Sequence, residues 1–240
     1  MTRMRSIAFN VFFFGGLTLF LISMIAVLPL PRIVLRKSIR GWAKSVCWGL
    51  KTIAGIDHEV RGLDNLPESP VILASKHQST WETVAFVWMF QHPVYCIKKE
   101  LFLIPLWGWY ARKCQQVEID RKGGAGALKR MVRDSLLALE RGRDLVVFPE
   151  GTRVAPDARG DYHPGIAAIY ARTDRPVVPV ALNSGVFWGR RTFMKYPGTI
   201  VVEFLPPIPP GLDRRKFLSE LETRVEEATA KLVAEARPLK

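Results

Sequence analysis

Two hydrophobic rhythms alternate along this chain. Short runs rich in β-branched residues, at 71–74, 94–97, 144–147, 177–182 and 199–204, read as buried strands. Between them, apolar residues recur at three- and four-residue steps. The clearest case is 125–141, where Leu128, Val132, Leu136 and Leu139 share one helical face. Shorter helices are predicted at 81–91 and 166–172, and a longer one at 213–236 after the stiff, Pro-rich connector 205–210. Residues 101–113 form an apolar helix or re-entrant stretch interrupted by Pro105. The alternation predicts an α/β fold with a mixed central sheet flanked by helices.

The N-terminus breaks this rhythm. Between 7 and 30 only Asn10, Thr18 and Ser23 interrupt the apolar residues. As a helix the stretch reaches about 36 Å, enough for a hydrocarbon core of roughly 30 Å. It is too long for a signal-peptide core, and no A-x-A site follows. Pro29 and Pro31 end it. Beyond them Ile39, Trp42, Val46, Leu50 and Ile53 form an apolar line, with Arg40, Lys44 and Lys51 set off it. That amphipathic pattern suits the headgroup layer. The predicted division is a membrane-associated helical anchor at 1–56, followed by the α/β domain at 57–240 with its C-terminal helix. Both flanks of the apolar run are basic, so charge gives no single orientation. A hairpin dipping into one leaflet, with both ends cytoplasmic, satisfies both flanks. A single spanning anchor and a buried core helix are the alternatives.

Net charge is +13, which fits an anionic membrane or nucleic acid equally well. Its distribution separates them. Arg3, Arg5, Arg32, Arg36, Lys37, Arg40, Lys44 and Lys51 crowd the apolar N-terminal region, and no nucleic-acid signature is present. The expected partner is therefore an anionic lipid surface, with no nucleic acid. Cys47, Cys96 and Cys114 form no C-x-x-C pair and suit a reducing compartment. No His/Cys/Asp grouping has metal-ligand spacing, so no metal is expected. His58 and His92 read as isolated surface residues.

Two strings carry chemistry. Phe148-Pro149-Glu150-Gly151-Thr152-Arg153 follows a predicted strand, at the edge where open α/β sheets bind ligands. Gly151 permits close backbone approach, Thr152 offers a hydroxyl, and Arg153 has a fork suited to phosphate. The plain alternative is a loop where Glu150 and Arg153 pair with each other. Upstream, His77 falls in a second strand-to-helix turn, with Thr80 placed to cap the helix and Glu82 in its first turn. An acid behind a histidine is the usual construction of a general base. A surface or capping histidine is the alternative.

Together these strings resemble the glycerolipid acyltransferases typified by 1-acyl-glycerol-3-phosphate acyltransferase. That family carries H-x-x-x-x-D, a basic block ending I-D-R, then F-P-E-G-T-R and a V-P-V block. The chain has His77 to Glu82, then Ile119-Asp120-Arg121, the string ending at Arg153, and Val178-Pro179-Val180, in the same order over about 60–205. It departs in having Glu82 for the usual Asp, Gln115 and Glu118 where Gly and Phe are common, and His163 near a frequent Lys.

The resemblance implies His77 as general base oriented by Glu82. Arg121, Glu150, Gly151, Thr152 and Arg153 would then hold the acceptor's phosphate. It implies an acyl thioester donor (acyl-CoA or acyl-carrier protein), no cofactor, and work at the cytoplasmic face of the inner membrane. The leading expectation is acylation of lysophosphatidate to phosphatidate. Acylation of another lysolipid, such as a lyso-ornithine lipid, and a non-catalytic lipid-binding protein are the alternatives. Neither Ser75 nor Ser79 lies in a G-x-S-x-G elbow, so direct transfer is expected. Glu82→Asp is expected to be tolerated. The set Leu101, Phe102, Leu103, Ile104, Leu106, Trp107, Trp109 and Tyr110 reads mostly as core; the alternative is an acyl-chain tunnel or bilayer contact.

Overall fold

The computed structural model describes residues 1–68 and 70–236, so the last four positions of the expected domain lie outside the described residues. Seven strands make one sheet: β1 (Ile56–Arg61), β2 (Ile72–Ser75), β3 (Val94–Lys98), β4 (Val117–Ile119), β5 (Leu145–Val147), β6 (Val177–Leu182) and β7 (Gly198–Phe204). Their spatial order is β1-β7-β6-β2-β5-β3-β4. Strands β2 to β6 are mutually parallel, β7 is antiparallel to β6, and β1 pairs parallel with β7. The sheet is therefore mixed, as the alternation predicts. Strands β1 and β4 were not among the expected ones.

Among the described residues eight α-helices surround it: α1 (Thr2–Ser23), α2 (Arg32–Gly49), α3 (Trp81–Met89), α4 (Trp107–Lys113), α5 (Gly124–Glu140), α6 (Gly165–Tyr170), α7 (Ser184–Phe187) and α8 (Arg214–Ala236). The two-residue period of the strands divides the core. Leu73, Val146 and Val178 pack with α1, α2 and α3 on one face. Ile72, Leu145 and Val177 pack with α5, α6 and α8 on the other. Helix α8 starts where Asp213 Oδ1 accepts from the N–H groups of Arg215 and Lys216, at 3.0 and 3.1 Å.

The N-terminal helices are not a separate body. Phe9 and Phe13 are buried in the main core, each edge-on to Trp188 with centroids 5.3 Å apart. Burial of each such ring contributes about 2 kcal/mol, and aromatic pairing about 1 kcal/mol more. The opposite side of α1 exposes Met4, Ile7, Val11, Phe14 and Ile22. A buried core helix is thus excluded, since only 6 % of its most apolar window is buried. Along α2 the apolar line faces inward: Ala43 and Val46, with Leu50 just beyond its end, join the core, so this stripe docks the helix on the domain instead of on lipid headgroups.

The region expected as an apolar helix or re-entrant stretch at 101–113 is a short 3-10 turn (Lys99–Leu103), then α4. Leu106, at φ 62°, breaks the two apart. Its side chains also depart from a core reading. Phe102 and Tyr110 are buried, whereas Leu101, Leu103, Ile104 and Trp109 are exposed.

Candidate active site

Strand β2 ends at Ser75 and α3 begins at Trp81, so His77 lies in a turn at the carboxyl edge of the sheet. Glu82 is fully buried behind it. Its Oε1 lies 2.8 Å from His77 Nδ1 and accepts from the N–H groups of Gln78 and Ser79 at 2.7 and 2.6 Å. Its Oε2 accepts from Ser184 Oγ at 2.8 Å. A carboxylate only accepts, so Nδ1 carries the proton and Nε2 presents its lone pair. The imidazole stacks on Phe148 with centroids 4.0 Å apart, and its side chain is 14 % exposed. The ring is thus fixed by Glu82 and Phe148 and reachable from the edge.

Thr80 does not cap α3. Ser79 Oγ accepts from Trp81 N at 3.2 Å, while Thr80 Oγ1 accepts from Arg153 Nη1 at 2.8 Å. The first string is thus tied to the second, and Val154 N donates to His77 O at 2.8 Å to complete the link. Gly151 sits at φ 56°, a backbone that disfavours side chains, and a Cβ there would stand 1.6 Å from Arg121 Nη2. That guanidinium donates to Gly151 O at 2.7 Å, so Arg121 joins the edge as expected. Thr152 is half-buried beside it.

Glu150 points away from this edge, which corrects its expected contact with phosphate. Its carboxylate is buried, with Oε1 accepting from Lys76 Nζ at 2.7 Å and Oε2 from His77 N at 3.1 Å. Lys76 Nζ donates also to Glu226 Oε1 at 2.7 Å, and Tyr162 Oη donates to that oxygen at 2.9 Å. The side chain of Lys76 is 0 % exposed. Glu150 therefore holds the backbone of His77, and does not pair with Arg153. Burial pushes its carboxyl above the usual range, against the pull of Lys76.

The open side of the edge is cationic. Arg190 Nη1 donates to Arg153 O at 2.9 Å. Burial, then the charges of Arg121 and Arg190, lowers the Lys98 pKa. His163 is lowered by burial and then by Arg121 and Lys98. Arg153 is lowered by burial, with Arg190 and Arg191 pushing the same way and Glu82 opposing. Positive groups placed this close suit an anion. Lys98 and Arg190 were missed from sequence, as were Lys76, Ser184 and Glu226.

Among the other expectations, His58 is half-buried, its ring 5.4 Å from Trp88 and 6.0 Å from Trp81. His92 is also half-buried, not a free surface residue. Among the described residues, Cys47, Cys96 and Cys114 are free thiols.

A histidine–carboxylate pair beside a cationic edge of an α/β sheet suits group transfer to an anionic acceptor. Comparison with known proteins narrows this. Residues 57–183 match the family model described as Acyltransferase, and the chain belongs to that family. It is 34 % identical over 201 residues to a 1-acyl-sn-glycerol-3-phosphate acyltransferase of Pseudomonas aeruginosa, covering 84 % of this chain and 78 % of that protein. It is 27 % identical to a lyso-ornithine lipid O-acyltransferase of the same organism, over 81 % and 79 % of the two chains. The crystal structure of the LPA acyltransferase PlsC from Thermotoga maritima shares the fold with a TM-score of 0.77, at 23 % identity over the whole of both chains.

Proposed function

We propose that the enzyme transfers an acyl group from a thioester, acyl-CoA or acyl-carrier protein, to the free hydroxyl of 1-acyl-glycerol-3-phosphate, giving phosphatidate. One observation carries this reading: the His77–Glu82 pair and the cations Arg121 and Arg153 share one sheet edge, linked by the hydrogen bond between Arg153 and Thr80. His77 Nε2 takes the hydroxyl proton as the oxygen attacks the thioester carbonyl, and Glu82 stabilises the imidazolium. The proton then passes to the departing thiolate. Arg153, with Arg121, Lys98 and Arg190, holds the phosphate and aligns the hydroxyl, while Gly151 and Thr152 shape the loop beside it. Such alignment lowers the barrier by several kcal/mol, about the scale of proximity effects. The name of the 34 % identical relative supports the phosphate-bearing acceptor over the ornithine one.

Membrane association follows a flat geometry in this reading. Near the start of α1, Ser6 Oγ accepts from Lys195 N at 2.9 Å, and Asn10 Nδ2 donates to Phe193 O at 3.0 Å. Near its end, Tyr110 Oη donates to Leu21 O at 2.6 Å, and Lys113 Nζ donates to the carbonyls of Leu28 and Leu30. A helix docked on the domain at both ends lies along the membrane surface with one apolar face immersed. This favours a hairpin lying in one leaflet over a spanning anchor; the cytoplasmic face is proposed on the basic flanks of the apolar run.

The test offers palmitoyl and oleoyl thioesters, on both carriers, with lysophosphatidate and lyso-ornithine lipid side by side. Product from lysophosphatidate is expected. Turnover of the ornithine lipid alone would overturn the phosphate assignment.

A further inference from the structure

At the sheet edge opposite His77, a second set of cations comes together. Strands β2, β3 and β5 are parallel and in register, so Ile72, Val94 and Leu145 mark one edge and His77 and Glu150 lie beyond the other. At three to five residues of about 3.3 Å each, the edges stand on the order of 10–17 Å apart. Arg32, Arg36 and Arg40 recur at four-residue steps along the first half of α2. His92, from the turn before β3, and Arg143, just before β5, lie close enough to feel their charges.

Arg143 is 5 % exposed, and its Nη1 and Nη2 donate to the carbonyls of Gln115 and Cys114 at 3.3 and 2.9 Å. Its Nε is buried without an acceptor among the described residues. So are Arg36 Nε, Arg40 Nε and His92 Nδ1. Buried polar groups are ordinarily paired, and three orphaned guanidinium donors beside an unpartnered imidazole nitrogen in one seam ask for a common partner, an acceptor for the forks and for the ring once it is protonated. The charges act on one another. Burial, and then Arg36, Arg141 and Arg32, pushes the Arg143 pKa down to about 10, against Cys114. Burial, and then Arg36, Arg143 and Arg40, lowers His92, with Asp144 opposing. The Asp144 carboxylate accepts from Val71 N at 3.0 Å.

We propose that this seam between α2, the α3–β3 turn and the start of β5 binds a phosphate group, supplied in place by the headgroup of an anionic membrane lipid. Guanidinium forks match the geometry of a phosphate, and an acceptor there satisfies the orphaned donors. Location selects the lipid. Lys113, at the end of α4, grips the turn joining α1 to α2. Exposed Ile25, Leu30, Ile33 and Trp109 surround that turn. The site thus lies at the rim of the apolar face that meets the bilayer, away from the acceptor's phosphate. The lipid source rests on the flat-hairpin reading; the phosphate chemistry does not.

The test follows the His92 imidazole by NMR in the full chain, assigned with His92→Gln. In detergent, inorganic phosphate should raise its titration midpoint by about half a pH unit or more, as a nearby anion does. Arg36→Gln/Arg40→Gln should abolish that response. Arg36→Lys/Arg40→Lys, which keeps charge and fold but loses the forks, should weaken it. Lys37→Gln/Lys44→Gln, on the exposed side of α2, should leave it intact. Nanodiscs containing phosphatidylglycerol should reproduce the rise, and phosphatidylcholine nanodiscs should not. A midpoint indifferent to phosphate, or equally responsive in the Arg36→Gln/Arg40→Gln variant, would overturn the site. A response to phosphate but not to phosphatidylglycerol would overturn the lipid source alone and leave the catalytic reading untouched.

Discussion

Glu82 occupies a position where the family pattern has an acid one methylene shorter, and its surroundings use the extra reach. Both oxygens are engaged by His77, Gln78, Ser79 and Ser184. Glu82→Asp withdraws the carboxylate by about 1 Å, and misplacement on that scale costs on the order of a hundredfold in rate. The expectation of tolerance is therefore replaced by a kcat loss of about that size, measured in the transfer assay at saturating acceptor. Gln115 gives a second residue-scale prediction. It takes φ 55° at the end of α4, a conformation that penalises a side chain. Gln115→Gly should raise stability by about 0.5–1 kcal/mol, read by denaturant unfolding. Lys195 gives a third. Burial holds its pKa at about 8 against an ordinary 10.5. Between those values the unfolded chain binds more protons than the folded one, so stability should rise with pH across that window. Comparison with Lys195→Met isolates this contribution; a flat difference would contradict it. His77, Glu82 and Arg153 were legible because short strings carried them. Lys98, Arg190 and Ser184 were not, since only the fold brings them to that edge.

Among the elements, α8 is tied to the catalytic turn by charge. Lys76 Nζ bridges Glu150 and Glu226 with all three buried, spanning 150 residues of sequence between Lys76 and Glu226. Lys76→Met leaves two carboxylates facing each other without a cation, which should destabilise the fold by about 3–5 kcal/mol. Lys76→Met/Glu226→Leu should recover part of that loss in a double-mutant cycle. The Pro-rich connector at 205–210 marked the start of α8, β-branched runs revealed the buried strands β2, β5 and β6, and periodicity revealed α5, whose inward residues repeat cleanly. It missed β1, where Asp57, His58 and Glu59 dilute the apolar signal on an edge strand, and β4, which has three residues. It also mistook the inward stripe of α2 for a lipid-facing one. An amphipathic pattern reports an apolar neighbour without saying whether it is lipid or core.

For the molecule as a whole, the apolar face of α1 and the exposed Leu101, Leu103, Ile104 and Trp109 extend one surface from the hairpin to α4. The sequence showed those side chains to be apolar; their exposure depends on the break at Leu106. Leu103→Glu/Ile104→Glu should weaken partition onto phospholipid vesicles by about tenfold or more, given the transfer energy of a buried aliphatic side chain. Unchanged co-sedimentation would remove this loop from the membrane face. Direct transfer driven by His77, held by Glu82 at the edge that carries Arg153, is tested most directly by kcat for acyl transfer to lysophosphatidate by His77→Ala, with melting checked against the unaltered enzyme. A fall of about 10²–10⁴-fold in a normally folded variant is predicted. Activity within a few-fold of the unaltered enzyme would contradict it.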